Sequence, residues 1–146
     1  MCAYSYQAPS HNGSWKNYLL NELGNFEGID RIYFVGLLDY NDYRTLLWRS
    51  DLHCYFTRPY VTSWSFFEAC ACGSRLMSNI SPATESIAVD DSVVWIDLDS
   101  KCSELADKML SSLKSTSIIS SKLNEGFSLE ESLLNWQNLL RSVMTI

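Results

Sequence analysis

Short apolar runs alternate with amphipathic ones along this chain, and few folds bury both kinds of segment at once. The arrangement that does is a parallel sheet whose strands are joined by crossover helices. Strands are expected at residues 2–6, 31–35, 52–57, 75–78 and 93–96. A first helix is expected over 14–23, where Trp15, Tyr18, Leu19 and Leu23 keep helical spacing and Gly24 offers a left-handed stop. A second is expected over 41–49, a third opening at Ser65, and a fourth over 100–113, where Leu105, Met109 and Leu113 recur every four residues. The last begins at Ser128, whose spacing from Glu131 fits a capping box, and carries Leu129, Leu133, Trp136, Leu139 and Leu140. The serine-rich stretch 111–121 reads as a loop, and the prolines at 9, 59 and 82 fall at expected loops.

At 146 residues the chain has room for one core of the commonest domain size. No repeat, charge block or Pro/Gly-rich linker divides it, so a single domain is expected over 1–146. A formal charge of −6 repels polyanions, which argues against a nucleic-acid partner. The first residues lack the basic flank and apolar core of a signal peptide, and no apolar run approaches the roughly 20 residues of a transmembrane helix. The five cysteines form no Cys-x-x-Cys pair, and Cys70 and Cys72 on a helix point in different directions. The expectation is free thiols without a metal, in a reducing, cytoplasmic setting, any membrane association coming through a partner. His53 sits among apolar strand residues as a packed side chain, and His11 lies in a polar turn.

The chemistry concentrates in Thr57-Arg58-Pro59-Tyr60-Val61-Thr62-Ser63-Trp64-Ser65-Phe66-Phe67-Glu68-Ala69-Cys70-Ala71-Cys72-Gly73. This stretch leaves the carboxyl end of an expected strand and enters a helix, the place where open α/β sheets bind ligands and where helix amides attract anions. Hydroxyls at Thr62, Ser63 and Ser65 would let a phosphate approach those amides. Glu68 carries two readings. Ser65-x-x-Glu68 matches a capping box, a purely structural device; alternatively, the carboxylate accepts hydrogen bonds from the hydroxyls of a ribose. Arg49 and Arg58 are further sources of positive charge, and Trp64 stands at the same loop.

The run from Ser63 to Gly73 resembles the C-terminal domain motif of the family 4 glycosyltransferases, enzymes of the GT-B fold. Its neighbours resemble that family in order: Arg31-Ile32-Tyr33-Phe34-Val35-Gly36, then Asp39-Tyr40 through Leu46-Leu47, then Ser50-Asp51-Leu52-His53-Cys54-Tyr55, then Pro82-Ala83-Thr84-Glu85-Ser86-Ile87. The likeness covers residues 4–97. It implies a Rossmann-like domain that binds a nucleotide-diphosphate sugar, and, in complete enzymes, retaining transfer of the sugar to an acceptor without a metal or other cofactor. It further implies that Glu68 holds the ribose, that Leu38 and Asp39 meet the base, and that Ser63, Trp64 and Ser65 flank the diphosphate. Tyr60 stands where the family usually has a second glutamate that contacts donor hydroxyls, and Asp90 and Val93 replace paired glycines before the last strand. The family also places another strand, a basic phosphate-binding turn and an acceptor-binding domain upstream, so this chain is expected to be the donor-binding half alone, inactive without an N-terminal domain or a separate chain supplying it. A sheet lacking the family's first strand is expected to show a gap, a rearranged order or an exposed edge. The alternative function is a non-catalytic α/β module, derived from that fold, that makes protein contacts.

Overall fold

The computed structural model describes residues 14–57, 62–115 and 120–144. The chain divides into two compact units, 1–42 and 43–146.

In the first unit, α1 (Trp15–Leu23) begins where the Ser14 hydroxyl accepts the Asn17 N–H and ends at Gly24, whose φ of 53° is the expected left-handed stop. Trp15 meets Tyr18 edge to face, and the Lys16 ammonium lies over the Phe34 ring. The strand expected at 31–35 does not form. Ile29–Arg31 close a 3-10 turn, with Arg31 N–H bonded to Gly28 C=O and Ile32 N–H to Ile29 C=O, and residues 32–36 run on outside any sheet. Its apolar run finds no neighbouring strand among the described residues: Tyr33 is 79% exposed and Val35 and Ile32 are exposed as well. The strand expected at 2–6 lies outside the described residues.

The second unit holds most of α2 (Tyr40–Arg49), then β1 (His53–Tyr55), α3 (Trp64–Ala71), β2 (Leu76–Asn79), α4 (Pro82–Ile87), β3 (Val93–Ile96), α5 (Cys102–Lys114) and α6 (Leu129–Met144). The strands form a parallel sheet in the order β1-β2-β3, with His53 opposite Leu76 and Leu76 opposite Val93. Each parallel pairing requires a crossover, and α3 and α4 provide them. The fold is thus a small open α/β sheet with flanking helices, compatible with a Rossmann-like arrangement. Among the described residues β1 and β3 each have one neighbour, so the order is sequential and both outer strands are edges.

Burial follows from that order. All four residues of β2 are buried, including Ser78 and Asn79, as befits a strand covered on both sides. Leu47 of α2, Phe66 and Ala69 of α3, Ile87 of α4 and Ile96 of β3 complete the core around Leu76 and Met77. The α4 helix starts with a reciprocal cap: Ser81 Oγ accepts the Thr84 N–H, Thr84 Oγ1 accepts the Ser81 N–H, and Pro82 takes the first helical position. Proline at 82 therefore begins a helix rather than marking a loop.

The serine-rich stretch has more structure than a loop. Residues 111–114 finish α5, and Arg75 holds that end through the carbonyls of Ser112 and Ser115. Residues 120–124 then form a strap across the ends of two helices. Ser121 donates its N–H to Ser74 C=O and its hydroxyl to Ala69 C=O, Ser120 donates to Gly73 C=O, and Asn124 N–H reaches Ile87 C=O. An antiparallel bridge between Ala88 and Leu123 completes it. Ser121 is 2% exposed, so its polar groups are held by backbone acceptors rather than by water. At α6 the Ser128 hydroxyl accepts the Glu131 N–H as expected, but the Glu131 carboxylate takes the Gly126 N–H, which extends the cap by two residues. Among the described residues no helix is long and apolar enough to cross a membrane.

Candidate functional site

The carboxyl edge of the sheet is organised by two side chains on adjacent strands. Asn79, the last residue of β2, accepts the Thr57 N–H at 2.8 Å through Oδ1, which holds the chain as it leaves β1. Tyr55, the last residue of β1, accepts the Ser63 N–H at 3.0 Å through its hydroxyl, which holds the start of α3 beside the strand end. The Tyr55 ring in turn meets the buried Phe66 ring edge to face, 5.1 Å between centroids. The start of α3 is thereby fixed to the rim where parallel sheets present ligand crevices.

Helix α3 opens one residue earlier than expected, at Trp64, with Ser63 as its N-cap in an extended conformation. Ser63 makes no side-chain cap bond to the helix backbone; its hydroxyl instead meets the Ser65 hydroxyl at 2.5 Å. This shift removes the capping reading of Glu68. Ser65 lies within the first turn and not at the cap, so the Ser65–Glu68 capping box does not exist, and Glu68 stands in the second turn of the helix. Its carboxylate is half-buried and acts electrostatically on Cys72, four residues on.

Trp64 projects from the first turn with 81% of its surface exposed, its ring tilted against Phe67, which also meets Phe127. Thr62 Oγ1 is shielded from solvent and has no hydrogen-bond partner among the described residues, so it is closed to a phosphate in this arrangement. Ser63, Trp64, Ser65 and Glu68 thus share one helix start. Tyr60 and Arg58 lie outside the described residues. Leu38 and Asp39 belong to the first unit, where the Asp39 carboxylate accepts the Asp42 N–H at 2.9 Å across the start of α2. Asp39 therefore has a structural use as a helix cap.

Neither Tyr55 nor Asn79 stands among the site residues that the sequence singles out. A signal for Asn79 exists in retrospect: two polar residues end the strand that shows least exposure in the sheet, and a buried amide demands partners.

The ionisable neighbours are tuned by burial. His53 is half-buried, and desolvation lowers its pKa, as expected of a packed neutral imidazole. Burial pushes the Cys70 thiol up to about 11, partly opposed by a hydrogen bond with Ser121. Cys54 is raised by burial, and Cys72 by burial and then by the Glu68 carboxylate. None of these three thiols is an activated nucleophile. Among the described cysteines, exposed Cys102 is expected to alkylate first and Cys70 only on unfolding, which timed iodoacetamide labelling read by peptide mass spectrometry checks. Because the folded pKa of Cys70 lies above the ordinary thiol value of 9.0, its contribution to stability is complete below pH 9 and is lost as pH rises towards 11. Cys70→Ala should flatten that alkaline slope in denaturant titrations.

No family model, curated protein or solved structure matches this chain.

Proposed function

We propose that the rim formed by β1 and the start of α3 binds the diphosphate and ribose of a nucleotide sugar, as the donor-binding part of a glycosyltransferase. The observation that carries this reading is the release of Glu68 from any capping role. A carboxylate half-buried in the second turn of α3, beyond a paired serine motif at the helix start, has no structural task in the cap, and the resemblance to the family 4 glycosyltransferases gives it one on a ribose.

Each group then has a chemical role. The amides of the first turn and the positive end of the α3 dipole attract the diphosphate, so an acidic chain needs no basic surface for local anion binding. Ser63 and Ser65 hydroxyls exchange their mutual hydrogen bond for bonds to phosphate oxygens. Glu68 accepts hydrogen bonds from the ribose hydroxyls, and the exposed Trp64 indole offers a stacking face. The isolated chain is a binding unit in this reading, since sugar transfer also requires the acceptor-binding domain that the family places upstream.

Isothermal titration of the chain with UDP and with GDP tests it. One nucleotide is expected to bind, and Glu68→Ala, with its circular dichroism unchanged, to weaken that binding at least ~10-fold, about 1.4 kcal/mol. Failure of both nucleotides to bind at about 1 mM, weaker than roughly −4 kcal/mol of binding free energy, would remove the reading for this chain. The second reading, a non-catalytic module for protein contacts, has its own support in the uncovered apolar face of α6.

A further inference from the structure

The α6 helix buries none of its described side chains, although its sequence is that of a helix built to be covered. Leu129, Leu133, Trp136 and Leu140 follow one another at spacings of four, three and four, the a/d seam of a helix pair. Leu129 is 71% exposed and Trp136 63%, and Leu133 and Leu140 are more than half exposed. An isolated apolar leucine on a surface is ordinary, but a continuous stripe along a 16-residue helix marks a contact surface. Beside the stripe, Ser132, Asn135, Trp136 and Leu139 enclose an open notch of about 260 Å³.

We propose that α6 pairs antiparallel with α6 of a second copy of this chain. The charge pattern selects both the partner and the direction. The first turn is acidic, with Glu130 and Glu131, and the last turn carries Arg141. At about 100° per residue Glu130 and Arg141 fall on the same flank of the seam, at opposite ends. An antiparallel copy brings Arg141 of each helix towards Glu130 of the other and opposes the two helix dipoles favourably; a parallel copy aligns the dipoles and leaves the two Glu130 side chains at one end on opposite flanks, with neither Arg141 within reach. A lipid surface fits less well, because interfacial helices carry Lys and Arg along the polar face and α6 has one basic residue against two acidic ones. The helix is roughly 24 Å long at 1.5 Å per residue, so the pair lies at the small end of specific interfaces, and the dimer is weak.

Sedimentation velocity of the full chain over about 1–300 µM tests this, a range suited to small interfaces. The expected result is a shift from one to two chain masses with rising concentration. The double variant Leu133→Glu/Trp136→Glu touches only exposed positions, should keep its helical circular dichroism, and should remain monomeric throughout. Glu130→Arg alone should weaken the dimer several-fold, and Glu130→Arg/Arg141→Glu should restore it. A monomer at every concentration, or a dimer indifferent to the seam substitutions, overturns the proposal. A dimer strengthened by Glu130→Arg alone overturns the antiparallel pairing. None of these outcomes depends on nucleotide binding, so the fate of the donor-site reading is decided separately.

Discussion

Phe66→Ala is expected to lower the thermal midpoint of the protein by roughly 10–16 °C, a loss of about 3–5 kcal/mol from a total of roughly 5–15 kcal/mol. Phe66 is 0% exposed in α3, inside the core that joins this helix to the sheet, and its ring edge meets Tyr55. Removing the ring takes away its transfer free energy and leaves a void that a small parallel sheet cannot collapse to fill. It also frees the Tyr55 ring, whose hydroxyl accepts the Ser63 N–H. Differential scanning calorimetry should therefore show the drop in midpoint, and the start of α3 should exchange its amide hydrogens faster than in the parent. Phe67→Ala, one residue on but only half-buried, is the control and should cost distinctly less. Equal costs for the two substitutions would contradict the packing described for α3.

Gly73→Ala is expected to cost about 2–3 kcal/mol, from two separable causes. Gly73 has φ +66°, the left-handed region, where a β-carbon costs about 1–2 kcal/mol on its own. A β-carbon here would also come within 2.6 Å of Ser120 Oγ, the atom that donates to Gly73 C=O at 2.9 Å. The strap must then move or lose that bond. Urea titration of Gly73→Ala, Ser120→Ala and the double variant resolves the two contributions: the double should be less destabilised than the sum of the singles by about 1 kcal/mol. Strict additivity would mean that the close approach of Gly73 to the strap has no energetic weight.

The sequence is informative in proportion to how local the governing forces are. The β3 bounds coincide with the expectation, and β1, β2, α1, α2, α5 and α6 lie within a few residues of it, because their periodicity and their caps at Ser14 and Ser128 are short-range properties. Residues 31–35 mislead for the opposite reason. The apolar, β-branched and aromatic run Ile32-Tyr33-Phe34-Val35 suits a sheet, but a strand exists only where a partner supplies the ladder, and here the backbone bonds of the 3-10 turn come first. At the candidate site, Ser63, Trp64 and Ser65 stand at the start of one helix, yet that start lies one residue earlier than expected and removes the capping box from Glu68. Helix boundaries are the least legible part of a sequence. Tyr55 is illegible, and Asn79 is readable only as the polar end of a strand, because their partners depend on which strand ends lie side by side, a fact of register and not of composition.

The strap at residues 120–124 also bears on how the molecule assembles. Its bonds to Gly73 and Ala69 join residues 47 and 52 positions apart, longer closures than either strand pairing requires. Loop-closure entropy grows with such separations, and non-local contacts return nothing until the chain has already been brought together. Helices form on the sub-microsecond scale, and on closure entropy alone the sheet is expected to gather through its two crossovers before the strap closes. Contacts made after the rate-limiting step change the rate of unfolding and leave the rate of folding nearly untouched. The strap at residues 120–124 is thus expected to act as a latch on an already built sheet, so that Ser120→Ala should raise the unfolding rate and leave the folding rate nearly unchanged in stopped-flow measurements.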